Sequence, residues 1–313
     1  MIVSASYKTD VPAFYARWFS NRLKAGFCKV VNPFNKNQHS TVRLERHNVD
    51  GFVFWTKNLV PFMSTLNEVA LIGYPFIVQY TINAYPRELE TRVVDWKHSV
   101  DLVQRLAGRF GKRAVVWRYD TIILSDLTDA EFHRHNFARL ATHLAGSVDE
   151  CVFSFLQLYK KTKVRMSTAG RENRFEWYDP TVESKKSLLS DLAEIATDAG
   201  ICPTICTQPE LVVPGVGESR CIDAERLMDV GQRDFSAKLK GMRKGCGCFQ
   251  AKDIGDYDTC PHGCIYCYAV RDDSLTLNRY RSHDPVSEYL YPVSKPQDSS
   301  ILSDKQAKMF DHD

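Results

Sequence analysis

The chain has 313 residues, of which 44% are hydrophobic and 25% charged, the balance of a folded globular protein with enough apolar material for a core. No stretch reaches the roughly 18 uncharged apolar residues that a membrane span needs, and the first ten residues, MIVSASYKTD, lack the pattern of a signal peptide. The formal net charge of +3 is too small to indicate nucleic-acid binding by itself. We therefore expect a cytoplasmic protein with no membrane partner.

Short β-branched or aromatic runs alternate along the chain with longer segments of helical periodicity, as is typical of βαβ units around a parallel sheet. The predicted strands, in chain order, are 2–6, 51–57, 76–82, 114–120, 151–158 and 201–207. The predicted helices are 12–25, 61–71, 95–110, 129–144 and 183–199. Further strands are expected around 248–258 and near Tyr291.

Six strands of this kind are most of a (β/α)8 barrel, so the sequence predicts an α/β fold, namely a complete or partial TIM-type barrel. An open Rossmann sheet is disfavoured because no glycine-rich phosphate loop follows the first strand. We predict a single barrel domain over residues 1–294, with a loop at 246–268 that carries cysteines. A polar and poorly ordered tail is predicted over 295–313.

The carboxyl ends of the predicted strands carry charged side chains. In barrel enzymes these ends and the loops after them hold the catalytic groups. Lys57, Arg118 and Asp120 lie at such ends. A charge that follows a buried strand needs a partner or a ligand to offset its desolvation. These three residues are therefore the predicted catalytic groups, and a salt-bridge network inside the barrel is the alternative.

Five of the ten cysteines lie close together between Cys246 and Cys267, which suits a metal better than disulfides between distant loops. The segment YDTCPHGCIYCYAV spaces three of them as Cys260-x3-Cys264-x2-Cys267. Thiolates at this spacing can bind three corners of a [4Fe-4S] cubane and leave the fourth iron without a protein ligand. Ferredoxin clusters, by contrast, take four cysteines, typically at other spacings.

Zinc is the alternative occupant of this cysteine segment. A structural zinc site takes four ligands, so a fourth would have to join the three cysteines. His262 and the pair Cys246 and Cys248 are the candidates for that position.

The aromatic Tyr266 completes a pattern, C-x3-C-x-aromatic-C, that resembles the signature of the radical SAM superfamily. The longer string CPHGCIYCYA is similar to the spore photoproduct lyase branch. The rest of the chain resembles an uncharacterised family that carries such a cysteine cluster near its C-terminus. The strings that carry this second resemblance are SASYKTDVPAFY, NPFN, VFWTKN, WRYDTIIL, SFLQLYKKT and CGCFQAKDIGDYDTC.

The resemblance implies a [4Fe-4S] cluster and S-adenosylmethionine, which is cleaved reductively to give a 5′-deoxyadenosyl radical that abstracts hydrogen. It also implies a reductant such as flavodoxin or ferredoxin as a partner. The residues expected to contact S-adenosylmethionine are Gln79 and Ser154 at strand ends, and Tyr266 and Tyr268 in the cysteine segment.

Radical SAM enzymes place the cluster loop after the first barrel strand, whereas here it begins at Cys260. A circularly permuted barrel accounts for this difference, since chain termini often lie close together at the surface. The permutation predicts that residues 253–259 pair in parallel beside the strand at 2–6.

Cys246 and Cys248 precede the cluster segment, and Cys206 and Cys221 lie further upstream. Four thiolates are enough for an auxiliary cluster or a zinc site, so we predict a possible second metal with Cys246 and Cys248 as ligands. The alternative is that Cys206 and Cys221 are small buried residues.

The substrate is predicted from two basic segments, 159–165 and 233–244, and from Phe175, Trp177 and Tyr178 as stacking surfaces. Together with the lyase-like string they favour a nucleic-acid base, with repair or rearrangement of a modified pyrimidine as the lyase or isomerase reaction. A solvated helix face and a packed loop are the alternatives for these segments. A radical SAM enzyme acting on a small metabolite or peptide stays open, as does a non-catalytic iron–sulfur or zinc protein.

Overall fold

The computed structural model describes residues 1–241 and 245–291. The predicted tail at 295–313, the last residues of the predicted domain and residues 242–244 of the basic segment lie outside this description. The described strands are β1 (Ile2–Ala5), β2 (Phe27–Asn32), β3 (Asn35–Arg43), β4 (Gly51–Thr56), β5 (Phe76–Thr81), β6 (Val115–Ile122), β7 (Leu124–Ser125), β8 (Glu150–Phe155), β9 (Trp177–Tyr178), β10 (Cys202–Ile205), β11 (Gly217–Glu218) and β12 (Ala251–Asp253).

The helices flank the strands. They are α1 (Val11–Phe14), α2 (Ala16–Ala25), α3 (Met63–Leu71), α4 (Trp96–Phe110), α5 (Ala130–Leu144), α6 (Lys160–Asn173), α7 (Val182–Asp198), α8 (Ala224–Gly231) and α9 (Asp273–Arg281). Asp95, Asp129 and Thr181 cap α4, α5 and α7 by accepting backbone N–H groups with their side chains, which is why these helices begin where the sequence predicts. No helix in the described ranges is both long and apolar enough to cross a bilayer.

Eight of the described strands form one parallel sheet in the order β11-β10-β8-β6-β5-β4-β1-β12. The fold is therefore α/β, as predicted. Within the described residues, the edge strands β11 and β12 do not pair, so the sheet is not a closed barrel and the prediction of a complete barrel is wrong. Between these two short edge strands, the described residues 219–241 and 245–250 form α8 and irregular segments instead of a further strand. A partial barrel is compatible with this sheet.

The parallel neighbour of β1 begins before the predicted segment 253–259, of which only Asp253 lies in a strand, so the prediction is wrong for residues 254–259. β12 runs parallel to β1, with Ile2 opposite Ala251 and Ser4 opposite Asp253. The predicted pairing began at residue 253, whereas the strand ends there. The cause lies in Asp253, whose carboxylate accepts the hydroxyls of Ser4 at 2.9 Å and Ser6 at 2.7 Å and the N–H of Gly255 at 3.0 Å. These bonds turn the chain away from the sheet.

The two faces of the sheet differ in their partners. Because successive side chains of a strand point to opposite faces, each strand contributes to both. Phe52, Phe54 and Trp117 pack under the helices in the large core. Val53 and Val116 belong to a second apolar cluster on the inner face. Farther along the same inner face the side chains become polar, and there the strands approach their carboxyl ends.

Several elements were not predicted. β2 and β3 form an antiparallel hairpin, and helices α6, α8 and α9 were missed. α6 buries only a narrow stripe among many charged residues, which hides its periodicity in the sequence. Among the described residues up to 291, the strand predicted near Tyr291 does not form, because Tyr289 makes an isolated bridge to Lys29 and its neighbours are irregular; the positions after 291 lie outside the described residues.

Candidate metal and cofactor site

The cluster loop, residues 260–267, lies against the chain that follows β5. The N–H of Ile265 donates to the carbonyl of Leu89 at 3.2 Å, and Glu90 and Cys264 form an isolated antiparallel bridge. All strands of the main sheet are parallel, so their carboxyl ends share one edge. The cluster loop therefore sits at the edge where barrel enzymes hold their reacting groups.

The three thiols of the cluster loop lie within electrostatic reach of one another, and none of them forms a disulfide. Burial raises the pKa of Cys260 well above its usual range, and Asp10 and the two other thiols raise it further. Burial likewise raises the pKa of Cys264 to about 12, although Lys57 opposes this. Neighbouring thiols raise each other's pKa because their negative charges repel. A bound metal displaces their protons and offsets this repulsion, so it stabilises the thiolate forms together.

Positive and N–H groups surround the same thiols. The N–H of Ala269 points at Sγ of Cys267 from 3.4 Å. Burial raises the pKa of Cys267, while Arg165 and Lys161 lower it. Arg165 also donates to the carbonyls of Cys264 and Ile265, each at 3.2 Å, and so ties α6 to the cluster loop. Donors and cations of this kind favour thiolates.

The turn between the first two cysteines depends on Gly263, whose φ of +72° lies in the left-handed region. A Cβ at this position would also stand 3.0 Å from Nη2 of Arg92. Arg92 in turn donates through Nε to the carbonyl of Pro261 at 2.6 Å. The short loop is thus shaped by the absence of a side chain at one position and by one arginine.

The three thiols of the cluster loop are not arranged around a single ion in the described structure. Within residues 1–241 and 245–291, no three His, Cys, Asp or Glu side chains are arranged as ligands of one metal ion. In a cubane each cysteine binds a different iron, whereas a single ion needs its ligands in one coordination sphere. The cluster loop brings three neighbouring thiols together beside N–H and cationic groups, which favour thiolates.

The zinc alternative depends on a fourth ligand. Nε2 of His262 lies 2.7 Å from Oδ2 of Asp10, and the ring packs edge-on against Phe14. Nδ1 of His262 is buried and has no hydrogen-bond partner among the described residues, so it is the remaining candidate from this loop. Cys248 packs in the second apolar cluster, whereas Cys264 packs in a third one.

Lys57 lies at the cluster loop in a buried polar network. Its Nζ is 2.8 Å from Oε1 of Glu90, which also accepts Nδ2 of Asn83 at 3.0 Å and the hydroxyl of Tyr266. Burial opposes the charge of Lys57, but Glu90, Cys264 and other nearby groups outweigh it and raise its pKa. Burial likewise opposes the charge of Glu90, but Lys57 and its hydrogen bonds outweigh this and lower its pKa. The pair is held fully charged beside the thiols.

Arg118 and Asp120 form a second network one strand farther along. Nε of Arg118 donates to Oδ2 of Asp120 at 2.9 Å, and Ser154 donates to the other carboxylate oxygen. Nη1 of Arg118 reaches Oε1 of Gln79 at 3.2 Å. Asn83 joins the two networks, because it accepts the N–H of Asp120 at 3.0 Å. Arg118 and Asp120 are therefore paired with each other, as in the alternative of a salt-bridge network inside the barrel.

The residues predicted to be catalytic or to contact S-adenosylmethionine lie in three places. Lys57 and Tyr266 contact Glu90 at the cluster loop. Arg118, Asp120, Gln79 and Ser154 share the second network. Tyr268 is partly exposed at the end of the cluster loop, and its hydroxyl donates to the carbonyl of Tyr7 after β1. Glu90 and Asn83 were not predicted, because they lie in an irregular segment whose sequence offers no periodic signal.

The family named Domain of unknown function (DUF1848) matches residues 2–269, which is most of the chain, and the chain belongs to this family. The match ends just after the cluster loop, so it includes every strand of the main sheet. Neither a search of curated proteins nor a search of solved structures finds a match.

Proposed function

We propose that this protein is a radical SAM enzyme built on a partial, circularly permuted TIM-type barrel. The observation that supports it best is the position of Cys260, Cys264 and Cys267 on one loop at the carboxyl edge of a parallel sheet. β12 precedes this loop and pairs with β1, which is the neighbour that permutation requires. The resemblance of CPHGCIYCYA to the radical SAM motif supports the same class.

The three cysteines would hold a [4Fe-4S] cluster, which supplies the electron for reductive cleavage of S-adenosylmethionine. Tyr266 and Tyr268 flank Cys267 in sequence and are proposed, with Gln79 and Ser154, to contact that cofactor. A flavodoxin or ferredoxin is the proposed reductant.

The charged pair of Lys57 and Glu90 would orient the cofactor or the substrate beside the cluster. Glu90 is buried and Lys57 is largely buried, so a ligand that approached them would meet fixed charges at low dielectric. Asp120 and Arg118 would support these residues through Asn83, because their own side-chain atoms are engaged with one another.

A nucleic-acid base is the proposed substrate, and the rim beside the cluster loop supports it. The rim surface consists of Tyr159, Tyr257, Tyr268 and Lys161, and Lys8 lies largely buried beside it in an ion pair with Asp253. Nζ of Lys161 lies 5.4 Å from the ring centre of Tyr257, and Nζ of Lys8 lies 5.6 Å from the same ring. Aromatic faces that alternate with cations bind single-stranded nucleic acid by stacking and phosphate contact.

The structure also corrects the predicted contacts. Arg165, in the basic segment 159–165, donates to the cluster loop and to Asp273, so it does not face phosphate. Phe175 is buried in the third apolar cluster with Cys264 and is unsuited to stacking on a base.

Reductive cleavage tests the class directly. Anaerobically reconstituted protein with dithionite and S-adenosylmethionine is expected to form 5′-deoxyadenosine, quantified by mass spectrometry. Cys264→Ser should reduce the product to the level of the enzyme-free control. Cys202→Ser is the matched control, because Cys202 is an exposed thiol on β10. Iron-loaded wild-type protein that forms no 5′-deoxyadenosine would contradict the proposal.

Electron paramagnetic resonance separates the enzyme from the alternatives. The spectrum of the reduced cluster should change when S-adenosylmethionine is added, because an iron without a protein ligand is open to it. An unchanged spectrum would indicate a non-catalytic iron–sulfur protein. Purified protein with zinc and without iron would indicate a zinc protein.

Oligonucleotide titration tests the substrate class. Affinity for single-stranded DNA should fall as salt rises, and Lys161→Gln should reduce the logarithmic salt slope by about 1. Lys112→Gln is the control, because Lys112 is exposed and lies just before β6, at the amino edge of the sheet. Absence of salt-dependent affinity for single-stranded and duplex DNA would favour a small metabolite or a peptide.

A further inference from the structure

A second group of thiols lies on the inner face of the sheet, separate from the cluster loop. The second thiol group consists of Cys206, Cys221 and Cys248, all buried in one apolar cluster. The sulfurs of Cys206 and Cys221 are 3.5 Å apart, and Cys221 also interacts with Cys248. The N–H of Ile222 points at Sγ of Cys248 from 3.4 Å.

The members of this group come from both edges of the open sheet. Cys206 follows β10, Cys221 follows β11, and Cys248 precedes β12. β11 and β12 are the two edge strands and do not pair with each other in the described structure, so the second thiol group joins the segments that adjoin the two edges. The N–H of Phe249 also donates to the carbonyl of Ile222 at 3.0 Å and brings the two segments together.

A buried cation faces the second thiol group. Nη1 of Arg118 lies 3.1 Å from Sγ of Cys221, and its guanidinium stacks over Trp55. A neutral thiol gains little from a guanidinium at this distance, whereas a thiolate gains a charge-assisted hydrogen bond. The arginine therefore suits sulfurs that carry negative charge.

A fourth cysteine lies beside the group. Cys246 is half-buried and packs against the same apolar cluster. It lines a cavity of about 300 Å³ together with Ser219 and Arg220. Cys246 therefore lies between this cavity and the apolar cluster that contains the second thiol group.

We propose that Cys206, Cys221 and Cys248, with Cys246 as fourth ligand, bind a thiophilic metal centre that ties the two edges of the sheet together. The ligand class is four thiolates, which suits both zinc and an iron–sulfur cluster. No three of these sulfurs are positioned as ligands of one ion in the described structure, so binding would draw the segments closer. This proposal does not depend on the radical SAM function.

Metal analysis of variants tests the second centre by itself. A full-length variant with Cys260, Cys264 and Cys267 changed to Ala cannot hold the cluster of the proposed enzyme. Purified anaerobically, it should retain about one zinc per chain, or about four irons with matching sulfide. Adding Cys248→Ser to this variant should remove that metal, whereas adding Cys202→Ser should leave it. Absence of metal in the triple variant, or metal unaffected by Cys248→Ser, would overturn the proposal.

Thiol mapping gives a measurement without mutation. Alkylation of the metal-loaded wild-type protein under native conditions should leave Cys246 unmodified, and chelation should make it reactive, because a bound metal protects its thiolate ligands. Equal modification of Cys246 before and after chelation would overturn the proposal. A disulfide between Cys206 and Cys221 in the metal-loaded protein would do the same, since its sulfurs would be unavailable as thiolate ligands.

Discussion

Nζ of Lys57 lies 2.8 Å from Oε1 of Glu90, and both side chains are buried beside the cluster loop. The two residues are separated by 33 positions in sequence and meet only because β4 and β5 are neighbours in the sheet. Their charges offset each other's desolvation, so the removal of one charge leaves the other buried and unpaired. Each charge therefore stabilises the other in the fold, and the pair places two fixed charges beside the cluster loop.

Glu90→Gln removes the negative charge and keeps the shape of the side chain. We expect the free energy of unfolding to fall by about 3 kcal/mol at neutral pH, because the Lys57 ammonium loses its partner. Urea unfolding monitored by circular dichroism measures this change in the free energy of unfolding. Lys57→Met in the same chain should restore part of the loss, because no unpaired charge is left.

The matched control is the exposed pair of Arg105 and Asp101 on α4. Asp101→Asn should change stability by less than about 0.5 kcal/mol, since both groups are solvated. If Glu90→Gln costs no more than Asp101→Asn, the buried pair is not held as described.

The sheet was largely predictable because strands covered on both faces read as continuous apolar runs, such as FVFW and AVVWRY. The three cysteines of the cluster loop were singled out by their spacing and by the resemblance of their motif, and their binding of a cluster stays a prediction. Whether the barrel closes was harder to predict, because closure depends on a further strand between β11 and β12. The sequence of that segment has few alternating β-branched residues to indicate a strand.

Glu90 and Asn83 show why the rest of the site escaped prediction. Each lies in the irregular segment between β5 and α4 and gains its role only from partners that are distant in sequence, such as Tyr266. Arg118 and Asp120 were singled out as charges after a buried strand. That rule found the residues, but it could not show that Arg118 also faces Cys221.

The burial of His133 predicts that the free energy of unfolding falls at acid pH. It is buried on α5, with Nδ1 at 2.8 Å from the hydroxyl of Tyr119 and Nε2 at 2.9 Å from the carbonyl of Ile123. Burial lowers its pKa from 6.5 to about 4. Between those values the unfolded chain takes up a proton that the folded chain does not, so stability falls as pH falls.

The loss attributable to His133 should reach about 3 kcal/mol between pH 6.5 and pH 4. Urea unfolding at pH 7, 5.5 and 4 should show this slope in the wild type and a shallower one in His133→Gln. His98→Gln, an exposed histidine on α4, should keep the wild-type slope. Parallel pH curves for His133→Gln and wild type would refute the assignment.

The contacts of Arg165 predict how long the proposed cluster stays bound. It donates to two carbonyls of the cluster loop, so Arg165→Ala leaves those carbonyls without a charged donor. We expect iron release to a chelator to become roughly tenfold faster, followed by absorbance under anaerobic conditions. Arg171→Ala on the same helix is the control, because the described contacts of Arg171 stay within α6. Equal release rates for the two variants would exclude this role.

Gly255 follows β12 at the point where the chain leaves the sheet for the cluster loop. A Cβ there would lie 2.0 Å from Oγ of Ser6 and 2.5 Å from its Cβ, so one of the two chains must move. That movement would also break the 2.7 Å hydrogen bond from Ser6 to Asp253, which holds β12 beside β1. We expect Gly255→Ala to lower the free energy of unfolding by about 1–3 kcal/mol.

Gly108→Ala provides the opposite result from the same chemical change. Gly108 lies inside α4, and nothing stands within 4 Å of a Cβ built there. Alanine should therefore raise stability by about 0.5–1 kcal/mol, through better helix propensity and a less flexible unfolded chain. The two variants should shift the urea midpoint in opposite directions. A Gly255→Ala protein as stable as the wild type would mean that β1 and the chain after β12 do not pack this closely, and the permuted pairing beside the cluster loop would lose its main support.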